Sequence, residues 1–257
     1  MKHTPLHALF LGALPSLANA IETVNVLVCL VQWANHANRT LISKEEIEQL
    51  WNGPGNDTLV VPGESISEYM ASNSYGKYKV QAEVFDWFQV NDTEMDVAKE
   101  HNKFEDFVLP VLEAAIASGI SLNPYANSEK ELEGIVFVHS GYRAETGGTD
   151  CETGYMAVNR ISTKSWNVEE PVETTFHNIQ STFTLKTFSV VSAYQGICGL
   201  KISGVGVWLH EWLHSRFGLE DLSDTAGQYQ DSQISTGGIG AYGIMYVCLR
   251  LSYILYF

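Results

Sequence analysis

The chain has 257 residues, 45% of them hydrophobic, and sets 15 Lys and Arg against 30 Asp and Glu, a formal net charge of −15. That length and apolar share allow a sizeable core in one large domain or two small ones. The acidity argues against a nucleic-acid partner or an anionic membrane surface, since both need clustered Lys and Arg.

The N-terminus reads as a secretory signal over residues 1–20, with the mature chain following as 21–257. Lys2 and His3 form a short polar start, "LHALFLGAL" is the apolar stretch, and Ala18-Asn19-Ala20 supplies small residues at a cleavage site. No later run reaches the ~20 apolar residues that span a bilayer. The expectation is an exported, extracellular protein without a membrane anchor. Sequons at Asn38, Asn56 and Asn91 fit a eukaryotic secretory route.

Val24 to Trp33 is a continuous apolar run of strand length, expected to be a central strand. "LISKEEIEQLW" places apolar residues at helical spacing, and "GPGND" then breaks the chain. Ser65 and Glu68 have capping-box spacing ahead of a short helix that stops near Gly76. "YKVQAEVFDW" alternates as a half-buried strand does. Asn102 to Ser118 is again helical in period, with Pro110 expected to bend or restart the helix. "GIVFVHSG" reads as a second buried strand, residues 141 to 200 as loop-rich, and Val205 to Phe217 as a helix. Strands alternating with helices predict one α/β or α+β domain with a mixed sheet.

Export makes the four cysteines candidates for disulfides, with three connectivities open. Cys29 lies in a buried-strand pattern and reads as a packed thiol. Cys151 and Cys198, in Gly-rich surroundings, are the better pair, ahead of any with Cys248.

The last predicted helix carries "HEWLH". Residues four apart share one helix face, so His210 and His214 can both aim ring nitrogens at one metal about 2 Å away. Glu211, next to the first histidine, can reach a water activated by that metal without ligating. It would take the proton and pass it to a leaving amine. His36, His101, His139 and His177 lack ligand spacing and read as structural or solvated.

Several segments together resemble the immune inhibitor A family of secreted zinc metallopeptidases, especially its eukaryotic microbial members. They are "VLVCLVQWANHANRT", "PGESISEYMASNSYGKYKV", "GIVFVHSGYRAETGGTDC", "HEWLHSRFGLEDLSDT" and "GGIGAYGIM", spread from about Val24 to Met245. The resemblance implies a zincin-like catalytic domain, with the HExxH helix in its active site, that cleaves proteins or peptides. It carries over His210 and His214 as zinc ligands, Glu211 as general base and acid, and Asp221 as third ligand. Met245 takes the place of the methionine that turns beneath the metal. Calcium often accompanies the family, but "NPYANSEKELEG" lacks a carboxylate-rich loop and no calcium site is assigned.

The chain departs from the family pattern in two places. Three residues, Ser215, Arg216 and Phe217, stand between the second histidine and Gly218, where the family has two. Strict counting from His210 therefore puts the third ligand at Glu220, whereas alignment on the "GL-x-D" block puts it at Asp221. Asp221 is favoured because a helix ending at Gly218 can absorb the extra residue, and Asp224 is left a supporting role. Only twelve residues follow Met245, unlike the family's continuation, which reads as truncation at the C-terminal end. The alternative function is accordingly an inactive or truncated zincin-like secreted binding protein.

Overall fold

A computed structural model describes residues 21–55, 63–99, 104–176, 181–222 and 244–245. The signal segment, Asn56, His101, His177, Asp224 and Cys248 lie outside them. The architecture is α/β, built on a six-stranded, mostly parallel sheet.

Strand β1 (Glu22–Gln32) pairs in parallel with β2 (Tyr78–Gln89) on one side and β4 (Ile135–Tyr142) on the other. β6 (Ser181–Tyr194) continues the sheet parallel to β4 and to the two-residue β3 (Glu131–Leu132). β5 (Lys164–Phe176) runs antiparallel along the free side of β6. β1 explains the buried reading of its apolar run. Val24, Val26, Val28 and Leu30 face one core, while Leu27, Cys29 and Val31 face another. A strand buried on both faces needs no polar alternation.

Helices α1 (Lys44–Asn52), α2 (Ile66–Asn73) and α5 (Val205–Phe217) contribute to the first core, through Trp51, Met70 and Trp212 among others. α4 (Phe104–Ala117) covers the second with Phe107, Val108 and Val111. The Ser65 and Glu68 capping box forms. The Ser65 hydroxyl accepts from the Glu68 amide at 3.3 Å, and the Glu68 carboxylate accepts from the Ser65 amide at 2.9 Å. These bonds satisfy two amides that a helix start leaves orphaned. Ser43 and Glu46 cap α1 in the same way.

Two expectations need correction. Pro110 does not restart its helix, for α4 runs through it without a break. Residues 141 to 200 are not mainly loop, because β5 and β6 occupy much of that span. Ser, Thr and Lys dilute the apolar content of β6, yet Phe183 and Leu185 are buried around an intermediate Thr184. The short α3 (Glu94–Lys99) was also not legible from periodicity.

The Cys151–Cys198 disulfide forms, with its Cα atoms 5.5 Å apart. It ties the loop after β4 to the loop after β6. Cys29 is a free, fully buried thiol, and burial pushes its pKa up. His36 and His139 are both buried. Asn38 and Asn91 are exposed. Among the described residues, no helix is long and apolar enough to cross a membrane.

Candidate metal centre and adjoining cleft

α5 is buried along almost its whole length, from Gly206 to Leu213 and again at Ser215. Such a helix is held by packing on every side rather than by one apolar stripe. Trp212 meets Trp51 edge to face at 6.0 Å, and the Trp208 indole donates to the Ser192 carbonyl at 3.0 Å. On the sheet side, the Ser189 hydroxyl donates to the Glu211 carbonyl and lies 2.7 Å from the Ser215 hydroxyl. The helix face bearing His210 and His214 is thereby fixed.

Each histidine ring is oriented by a backbone carbonyl. His210 Nδ1 lies 2.8 Å from the Ile244 oxygen, and His214 Nδ1 bonds the Leu219 oxygen. A carbonyl only accepts, so both Nδ1 atoms carry the hydrogen, and in the neutral rings both Nε2 atoms keep a lone pair. Those two Nε2 atoms are 3.0 Å apart. Asp221 Oδ1 completes a triangle, 3.2 Å from His210 Nε2 and 3.3 Å from His214 Nε2. With both rings neutral, three acceptor atoms converge with no donor among them, an arrangement that suits a cation. Zinc bonds of ~2.0–2.1 Å in tetrahedral geometry put ligand atoms about 3.3–3.4 Å apart, close to this triangle. The donor set fits zinc.

Glu211 stands differently. Its Oε2 accepts the Ser165 amide at 2.7 Å, and its Oε1 lies 4.0 Å from His210 Nε2. That separation is longer than the edges of the triangle, although Glu211 stands with His210 and His214 among the groups close enough to share a metal ion. Burial holds His210 below the ordinary histidine value. Neighbouring His214 adds to that shift, while the Ile244 carbonyl and Asp221 oppose it. The neutral ring is the one that binds metal.

The chain leaves α5 at Gly218, whose φ of +63° is left-handed, and the Gly218 amide donates to the His214 carbonyl. This ending turns the segment so that Leu219 presents its carbonyl to His214 and Asp221 its carboxylate to both rings. Glu220 is exposed. Of the two acids weighed from sequence, it is Asp221 that comes within ion-pair distance of the histidines. Met245 is 4% exposed and joins the core that holds Leu209 and Leu213, and its carbonyl accepts from the Leu222 amide at 2.7 Å. The 244–245 segment thus braces both His210 and the Asp221 turn.

A cleft of about 440 Å³ adjoins the cluster, lined by Lys164, Asn167, Thr187, Glu211, His214 and Leu219 among others. One wall is the beginning of β5. Lys164 there stacks 3.9 Å from the Trp166 ring centroid, and burial lowers its pKa. Sequence reasoning missed the parts played by Ser165, Leu219 and Ile244. All three act through backbone atoms, which residue type does not announce. Comparison with protein-family models finds no match to this chain, and comparison with curated proteins finds none either.

Proposed function

We propose that this chain is a zinc-dependent endopeptidase of zincin type, secreted, and related to the immune inhibitor A family that its segments resemble. The observation that carries the reading is the convergence of His210 Nε2, His214 Nε2 and Asp221 Oδ1 beside a carboxylate, Glu211, that lines a cleft. Bound zinc would supply Lewis-acid activation of water and of the scissile carbonyl. His210, His214 and Asp221 would hold the ion. Glu211, with Oε2 anchored on the Ser165 amide, uses Oε1 to take the proton from the attacking water and return it to the departing amine nitrogen. The cleft beside β5 receives the peptide, and the large acidic excess of the chain is compatible with a protein substrate. The Cys151–Cys198 bridge fits an oxidising compartment.

Metal analysis of the purified protein, alongside casein cleavage with and without a chelator, tests the proposal. One zinc per chain at this centre and chelator-sensitive cleavage are expected. Zinc at the centre without cleavage would instead identify a zincin-shaped binding protein, and absence of zinc there would refute the metal assignment.

A further inference from the structure

A second cluster lies at the carboxyl ends of three adjacent parallel strands, where open α/β sheets commonly bind ligands. His36 ends a 3-10 turn after β1, Glu94 opens α3 after β2, and Asp150 lies in the loop after β4. None of the three is more than 1% exposed. One ligand atom from each lies within 4.8 Å of the others. His36 Nε2 and Glu94 Oε2 face each other at 3.4 Å, an ion pair only when the ring is protonated, and neither has a hydrogen-bond partner. Leaving buried polar atoms unpaired is costly unless something joins them.

The surroundings are arranged around these atoms. Glu94 Oε1 accepts the Ile161 amide at 3.2 Å, which leaves Oε2 as the free oxygen. His139 does not neutralise Glu94, although its Nδ1 lies 3.9 Å from Oε1. That Nδ1 accepts from the Trp33 indole at 3.2 Å and the Gly141 amide at 3.1 Å, and Nε2 faces the Ser192 hydroxyl. His139 is therefore a neutral ring turning a lone pair toward Glu94. Arg39 binds Asp150 at 2.6 Å and Glu152 at 2.7 Å, so its charge is engaged there and it holds Asp150 in place. His36 Nδ1 lies 2.9 Å from the Ser140 hydroxyl, a bond that fixes the ring and presents Nε2. At Gly141, a Cβ would fall 2.3 Å from Glu94 Oε1, so only glycine lets the carboxylate sit there.

We propose that His36 Nε2, Glu94 Oε2 and an Asp150 carboxylate oxygen bind a second divalent cation, as a structural site clamping the three strand-end loops. One imidazole with two carboxylates suits zinc or manganese better than calcium, which prefers oxygen ligands alone. The site shares no residue with the His210 centre and does not depend on peptidase activity.

The test loads the His210→Ala/His214→Ala chain with zinc, and separately with manganese, then counts bound metal by mass spectrometry after desalting. One ion per chain is expected with at least one of the two metals, and none once Glu94→Gln is added. A folded chain that keeps neither metal overturns the proposal, as does an ion that persists after Glu94→Gln. Should the double-alanine chain fail to fold, Glu94→Gln is made alone. It is expected to carry one ion fewer than the unaltered chain, and equal counts overturn the proposal.

Discussion

Replacing Gly218 by Ala isolates the device that accommodates the surplus residue after His214. Gly218 has φ +63°, and a Cβ built there meets no atom within 4 Å. The cost is therefore backbone strain alone, ~1–2 kcal/mol for a left-handed alanine, or roughly a 5–30-fold fall in the folding constant. The chain can escape that strain by continuing the right-handed helix, but each added helical residue then turns the following side chain by about 100°. Leu219 would withdraw its carbonyl from His214, and Asp221 its carboxylate from both rings. Losing an orienting partner alone typically weakens metal binding by ~10–100-fold, and losing Asp221 adds to that. Urea unfolding in chelator reads the first effect, and competition titration of zinc reads the second. Gly218→Asn should recover most of both, because asparagine tolerates the left-handed region. An alanine variant equal to the unaltered protein in stability and zinc affinity would refute the reasoning, as would an asparagine variant no better than alanine.

Asp221→Ala should weaken zinc binding far more than Glu220→Ala, since only Asp221 contacts both rings; the reverse order in a zinc titration would restore strict spacing as the rule. Replacing Cys151 and Cys198 together by Ser should cost about 4 kcal/mol on the chain-entropy account, the two being 47 positions apart, and urea midpoints check this. Burial depresses His139 to about 3, with His36 and Arg39 adding to the effect. The unfolded chain takes up this proton near pH 6.5 and the native chain only near 3. Stability should therefore fall as pH drops through that window, by up to ~1.4 kcal/mol per pH unit. His139→Gln should show a shallower fall, and identical slopes would contradict the assignment.

The parts of the fold legible in the sequence were those with a strong local signature. The apolar run of β1, the alternation of β2 and the Ser65–Glu68 box each state their structure within a dozen residues. β5 and β6 do not. Their pairing joins residues such as Lys164 and Val190, and a strand rich in Ser and Thr resembles loop until its partner is known. The same holds for the site. Spacing within one helix announced His210, Glu211 and His214, and the left-handed glycine made Asp221 arguable. The amide of Ser165, which anchors Glu211 from 46 positions away, left no mark in the sequence. The His36–Glu94–Asp150 cluster was missed for the same reason, since three strand ends far apart in the chain supply it.

In the proposed mechanism Glu211 moves a proton while His210, His214 and Asp221 hold the metal. Its most direct test measures bound zinc and casein cleavage together in Glu211→Ala. Zinc at the unaltered stoichiometry is expected, with cleavage reduced by ~10²–10⁴-fold. Zinc lost in proportion to activity, or cleavage undiminished, would contradict it.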